Sequence, residues 1–239
     1  MSTLSPTNPA LLSDRDVRQR DIVPPAKLAA CHAIVIGVGA VGRQVALQLA
    51  AIGIGAMDLL DFDTVEILNL APQAYWPTDL GRLKVEATAD ICRAIRPQIQ
   101  LTLHPERFRR SSVKTIAALN SHAKKPLVFA CVDSIDTRRL LWESLKDRLA
   151  FWADGRMSAE VVRVLASDHP STDTHYATTL FTQDQAYAGT CTARSTVYTA
   201  SIVAGLMLGQ FTRWLRGLPV DRDVLLNLLS MELAVTGDR

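Results

Sequence analysis

The hexapeptide Gly37-Val38-Gly39-Ala40-Val41-Gly42 constrains this chain more than any other stretch. It closes an apolar run, Ala33 to Ile36, and opens a segment in which Val41, Val45, Leu49 and Ile52 recur at helical spacing. Absent side chains at Gly37, Gly39 and Gly42 let backbone N–H groups approach phosphates, and the positive end of the following helix favours such an anion. Gly53 and Gly55 end the helix, and Ala56 to Leu60 reads as a second buried strand. Strand, glycine loop, helix, strand is the mononucleotide-binding half of a doubly wound sheet. The expected fold class is therefore α/β, with a doubly wound, mostly parallel sheet of the Rossmann-like kind.

Further elements follow from periodicity. Asp14 to Ala30 reads as a short leading helix and a connector, and Thr64 to Pro77 as an irregular stretch with a single helical turn. Helices are expected at Leu83 to Ile95, Ile135 to Leu149 and Arg194 to Leu215, the last being the C-terminal helix. Strands are expected at Ile99 to Leu103, Leu127 to Val132, Phe151 to Ala153 and Val161 to Ala166. His169 to Thr190 is polar and aperiodic, a crossover loop over the site. Residues 1–13 read as a flexible tail, and 14–239 as a single domain.

Composition removes several function classes. At 239 residues, 48% of them hydrophobic, the chain can bury a full core. A net charge of +2 gives no argument for nucleic acid or a membrane surface as partner. No apolar run approaches the roughly 20 residues of a spanning helix. The polar start, with Pro6 and Pro9, lacks the basic and apolar parts of a signal peptide, so a cytoplasmic location is expected. Four scattered cysteines form no C-x-x-C pair, which speaks against a zinc knuckle or a disulfide framework. Cys31, Cys92 and Cys131 lie within apolar patterns as small buried hydrophobes, whereas Cys191 lies in a loop leading into a helix.

The residues with chemistry follow the loop in order. Asp61 lies at the end of the second strand, where a carboxylate accepts hydrogen bonds from ribose hydroxyls. On these residues alone, a nicotinamide-dependent oxidoreductase accounts for the pattern equally well. Lys84, in the first turn of its helix, gains nothing from the helix dipole and makes more sense reaching a triphosphate. Asp133 ends a strand at the carboxyl edge of the sheet and either holds Mg²⁺ against phosphate oxygens or caps the helix from Ile135. Cys191, at a helix start near Arg194, has the setting that lowers a thiol pKa and makes a nucleophile. His169 and His175 precede it as candidate assistants.

Asp61-Phe62-Asp63-Thr64-Val65, Asn69-Leu70, Gly81 with Lys84-Val85, and Cys131-Val132-Asp133 together resemble the ubiquitin-activating-enzyme superfamily, including its ThiF/MoeB-type adenylyltransferases. Arg18-Gln19 resembles the Arg-Gln that precedes the family's first strand, and Cys191-Thr192-Ala193-Arg194 its Cys-Thr-x-Arg around a catalytic cysteine. The similarity runs from about residue 15 to about 215. It implies an adenylation domain in which Asp61 binds the ATP ribose, Asn69 and Lys84 contact phosphates, and Asp133 holds Mg²⁺ and orients the α-phosphate. It further implies a homodimer, with Arg18 reaching into the partner's site, and a ubiquitin-like or sulfur-carrier protein ending in glycine as substrate. Cys191 would then take the acyl group as a thioester for a conjugating enzyme.

Two departures from the family pattern stand out. Pro72 replaces the arginine of Asn-x-x-Arg-Gln; Arg43, just past the loop, and Arg82 are the candidate substitutes, each otherwise expected to be a solvated surface residue, which is the favoured reading. The paired C-x-x-C motifs of zinc-bearing sulfur-carrier members are missing, so no zinc is expected. The compact form without them points to a bacterial ubiquitin-like conjugation pathway, a kind in which some operons are linked to phage defence. A sulfur-carrier adenylyltransferase without a thioester step, and a non-catalytic scaffold, remain the alternatives within the same fold.

Overall fold

A computed structural model of the chain describes residues 15–120, 124–181 and 195–236. Its sheet has eight strands: β1 Cys31–Ile36, β2 Ala56–Leu60, β3 Gln100–His104, β4 Lys125–Ala130, β5 Phe151–Ser158, β6 Val161–Ser167, β7 Asp223–Asn227 and β8 Glu232–Thr236. The spatial order is β3-β2-β1-β4-β5-β6-β7-β8. The first five strands are parallel to one another, and β6, β7 and β8 are added antiparallel. The doubly wound, mostly parallel α/β fold is thus present.

Four longer helices flank the sheet: α1 Ala40–Ile52, α2 Lys84–Ile95, α3 Ile135–Leu145 and α4 Val197–Arg216. Strand alternation divides the core between the two faces. Ala33 and Val35 of β1 pack into a cluster with Leu49 of α1, Cys92 of α2 and Phe211 of α4. Ile34 and Ile36 face the opposite cluster, with Leu141 and Trp142 of α3 and Trp152 of β5. Both faces of the central strands are therefore covered, which is why they read as unbroken apolar runs.

Several elements differ from expectation. The fifth strand runs on to Ser158, because its antiparallel pairing with β6, over residues 152–158, continues beyond Asp154, where the parallel ladder to β4 ends. The helix from Ile135 stops at Leu145 and tightens into a 3-10 turn at Lys146–Arg148. The chain does not finish on its C-terminal helix. Gly217, at φ 75°, ends α4, and β7 and β8 form a hairpin that extends the sheet. The described part of the expected crossover loop contains one helical turn, His175–Thr178.

Candidate functional site

The strand order reverses between β1 and β4: β1 connects outward to β2, while β4 lies on its other side. Open α/β sheets bind ligands at such a point, beyond the carboxyl ends of the strands. Backbone hydrogen bonds fasten the three strand ends together there. Gly37 N donates to Leu60 O at 2.8 Å, and Cys131 N donates to Ile36 O at 2.8 Å. The three glycines of the loop have different jobs. Gly37 has φ +85°, and a Cβ on it would lie 2.7 Å from Cys131 O. A Cβ on Gly42 would lie 1.7 Å from Gly37 O, so this residue lets α1 start immediately against the turn. Gly39 is the open one, its nearest neighbour the Gln73 side chain at 3.9 Å. Space for a ligand to meet backbone N–H groups exists at Gly39.

Asp61 holds this loop in shape. Its carboxylate accepts from Val38 N at 2.6 Å and from Asp63 N at 2.9 Å, and the residue is 8% exposed. Burial raises its pKa, against the lowering effect of those two N–H donors and of Lys84. A carboxylate oxygen has room for more than one donor, so Asp61 keeps acceptor capacity beyond these two bonds. Lys84 opens α2, is buried, and its Nζ bonds Asp63 Oδ2 at 3.0 Å. Asp63 has a more direct part here than the sequence suggested; the Asp-Phe-Asp spacing was the signal. Asn69 Oδ1 accepts from Glu66 N at 2.9 Å, closing a short 3-10 turn at Ile67–Asn69.

The segment after Asn69 folds back over the loop. Tyr75 is buried and its hydroxyl donates to Val38 O at 2.7 Å, so the loop is tied from this side too. Gln73 lies beside Gly39, and its buried Oε1 has no hydrogen-bond partner. Of the two bases near the missing arginine, Arg43 departs from the expected solvated surface and Arg82 does not. Arg43 is 1% exposed, whereas the Arg82 side chain is 39% exposed and bonds Asp79 at 3.2 Å and Asp90 at 2.5 Å.

Asp133 lies three residues beyond β4 and is exposed. It does not cap α3. Ser134 does, accepting from Thr137 N at 3.3 Å, so the capping explanation for Asp133 falls away. The backbone of Asp133 is held by a group that sequence reasoning missed. Arg138 Nη1 donates to Asp133 O at 3.0 Å, and Arg138 Nε donates to Asp154 Oδ1 at 2.8 Å. Asp154 is fully buried and also receives Arg156 Nε at 2.7 Å and Tyr176 Oη at 3.0 Å. Burial pushes the Asp154 carboxyl up, but the two guanidinium groups outweigh it and leave the pKa below its usual value. No local pattern announces a pairing between residues on α3 and β5.

Arg18 is not brought to this site within one chain. Arg15 Nη2 donates to Ala51 O and Gln19 Nε2 donates to Ile52 O, each at 2.9 Å, which pins the leading segment to the C-terminal end of α1. The glycine loop is at the other end of that thirteen-residue helix, about 20 Å away at 1.5 Å per residue. Arg18 itself is exposed there. Cys191 and Arg194 lie outside the described residues. Of the other cysteines, Cys31 and Cys92 are buried as expected, and Cys131 is half-buried against the loop. Burial pushes Cys31 to about 11 and Cys92 to about 12, and raises Cys131 as well. His175 bonds Asp223 of β7 at 3.2 Å.

Among the described residues, no group of three or more His, Cys, Asp or Glu is arranged to hold a metal ion, and no helix is long and apolar enough to cross a membrane. A single exposed carboxylate at Asp133 suits Mg²⁺ that arrives with a nucleotide, since Mg²⁺ takes one or two carboxylates together with substrate phosphates.

The geometry defines a doubly wound α/β protein with a glycine loop, open at Gly39, at its switch point. The chain belongs to the ThiF family, whose model matches residues 15–235. Ubiquitin-like modifier-activating enzyme 5 of Drosophila ananassae is 32% identical over 136 residues, covering 54% of this chain and 34% of that protein. Adenylyltransferase and sulfurtransferase MOCS3-2 of Zea mays is 33% identical over 116 residues, covering 48% of this chain and 23% of that protein. The match thus spans about a third or less of these relatives' length. Among solved structures, PaaA superposes with a TM-score of 0.74 at 16% identity, over 99% of this chain and 85% of its own. E. coli MccB with ATP superposes with a TM-score of 0.70 at 13% identity, over 94% of this chain and 71% of its own. These two likenesses show the shared fold.

Proposed function

We propose that this protein adenylates the C-terminal glycine carboxylate of a ubiquitin-like protein and then takes the acyl group onto Cys191. The observation that supports the proposal is that the open backbone at Gly39, the strand-end Asp61 with Lys84 nearby, and Asp133 just beyond β4 all lie at the carboxyl edge of the adjoining strands β1, β2 and β4. Membership of the ThiF family and the similarity to enzymes named for activating ubiquitin-like modifiers support it. So does the fold shared with MccB, which has been crystallised with ATP.

In this reading the triphosphate lies over Gly39, the ribose meets Asp61, and the amide of Asn69 and the ammonium of Lys84 meet phosphate oxygens. Lys84 exchanges Asp63 for phosphate, a short move for a side chain already at the site. Asp133 would hold Mg²⁺, which neutralises charge on the phosphates. A carboxylate oxygen of the substrate attacks the α-phosphorus, and pyrophosphate leaves. No side chain acts covalently in this step; catalysis is placement and charge neutralisation, and losing one such contact typically costs about 10²–10³ in rate. The Cys191 thiolate then attacks the acyl carbon and AMP leaves, giving a thioester. Arg18 would complete the site of a second copy in a homodimer, because its own site is a helix length away.

The test is ATP–pyrophosphate exchange with candidate carrier proteins. Asp133→Ala should abolish exchange, and Cys191→Ala should preserve it while removing a reducible adduct. Exchange in the native protein with no adduct on Cys191 favours the sulfur-carrier alternative. Loss of exchange in a folded Cys191→Ala protein contradicts the proposed division of labour. Tight NAD binding without ATP binding would restore the oxidoreductase reading.

A further inference from the structure

Arg43 is the least expected buried group near the loop. It stands in the first turns of α1, where its backbone N–H donates to Gly39 O at 3.0 Å. Side chains on a helix lean toward its N-terminus, here toward the glycine loop. The guanidinium carbon lies 4.1 Å from the centroid of the Tyr75 ring, and Nη1 donates to Thr88 Oγ1 at 3.2 Å. Tyr75 Oη in turn lies 3.2 Å from Thr88 Oγ1 and bonds the loop at Val38 O. Arg43 Nε is buried and has no partner. Asp79, the one acid whose charge bears noticeably on Arg43, is itself bonded to Arg82 and to Trp76 N. Among the described residues, then, Arg43 has no ion-pair partner.

An unpaired cation removed from water is strongly unfavourable unless something else compensates it. The compensation needed is negative charge close by, and the Tyr75 ring on which Arg43 stacks is bonded to Val38 O, next to the open backbone at Gly39. The segment folded over the loop, from Asn69 to Asp79, carries no basic side chain, and Lys84 is engaged by Asp63. We propose that Arg43 is the resident counter-charge for phosphates bound at the glycine loop, held one layer behind them by Tyr75 and Thr88. It acts through the field it adds beneath the loop and through its support of Tyr75, without touching the ligand. This rests on reading the loop as the triphosphate site. It adds to that reading the residue that selects for phosphate charge.

The experiment compares binding of ATP–Mg²⁺ and of adenosine by the native chain, Arg43→Met and Arg43→Lys, using calorimetry. Arg43→Met should weaken ATP by about tenfold or more, the effect expected when a full charge is removed from a partly desolvated site, and change adenosine by about twofold or less. Arg43→Lys should recover most of the loss. The Arg43→Met protein without ligand should melt at or above the native temperature, because a cation without a counter-ion has gone. Equal losses for ATP and adenosine, no loss for either, or failure of Arg43→Met to fold would each overturn the inference and leave Arg43 as a packing residue. A native chain that binds no ATP would instead overturn the underlying reading of the site.

Discussion

Gly42→Ala and Gly39→Ala add the same methyl group three residues apart in one loop, and their effects should be opposite in kind. At Gly42 the new carbon would lie 1.7 Å from Gly37 O, a backbone atom that cannot swing aside. Overpacking a well-packed site costs about 1–3 kcal/mol, and a clash with main chain belongs at or above the top of that range. At about 2–4 °C per kcal/mol for a chain of this size, Gly42→Ala should melt about 6–12 °C below the native protein. At Gly39 the nearest atom is 3.9 Å away and φ is −78°, so a methyl group meets no clash and no left-handed backbone. Gly39→Ala should melt within about 2 °C of native, yet lose ATP because the methyl occupies the phosphate's approach. Differential scanning fluorimetry with and without ATP–Mg²⁺ measures both quantities. Unimpaired ATP binding by Gly39→Ala, or a native-like melting temperature for Gly42→Ala, would refute the assignment of roles within the loop.

Other outcomes follow from the neighbouring structure. Asp154→Asn breaks a buried carboxylate bonded to two guanidinium groups, and should cost about 3–5 kcal/mol at neutral pH. Because the folded pKa of Asp154 is depressed, the stability it adds is complete above the unfolded value of 3.8 and disappears as pH falls through the lower folded value. The difference in melting temperature between Asp154→Asn and native should therefore narrow only below about pH 4; a gap independent of pH would contradict the ionised assignment. Ser134→Ala removes the cap of α3 and should cost about 1 kcal/mol in urea unfolding, with no loss indicating that the cap is idle. At pH 8, with Cys31 raised to about 11 and Cys92 to about 12, alkylation by iodoacetamide should leave both unmodified in the folded protein, as read by peptide mass spectrometry. Rapid modification of either would contradict their burial.

The glycine loop, the strand-end acids and the helix at α2 were legible because each is written in contiguous residues. Glycine spacing, an apolar strand of six residues and a helical repeat are local patterns with local causes. Legibility declined where partners are distant in sequence. Arg138 and Asp154, joined at 2.8 Å, are bases and acids like any others until α3 and β5 are placed side by side. Arg43 was misread for a related reason: a charged residue is assumed to be solvated unless its surroundings are known, and Tyr75 and Thr88 come from elements folded over it. The final hairpin was missed because Val224-Leu225-Leu226 and Leu228-Leu229 give a short apolar run without alternation, which periodicity cannot assign. Its outer strand β8 is exposed throughout, so no buried face marks it. Gly37, Gly39 and Gly42 were seen together but not told apart, since only the close approaches at Gly37 and Gly42 separate packing from ligand access.

A crystal structure with ATP–Mg²⁺ tests the whole account most directly. It should show phosphate oxygens against the backbone at Gly39, the ribose on Asp61, and Lys84 moved from Asp63 to the triphosphate, with Asp133 facing the metal. Nucleotide bound away from the β1–β4 switch point, or Lys84 still paired with Asp63 while the phosphates turn elsewhere, would contradict it.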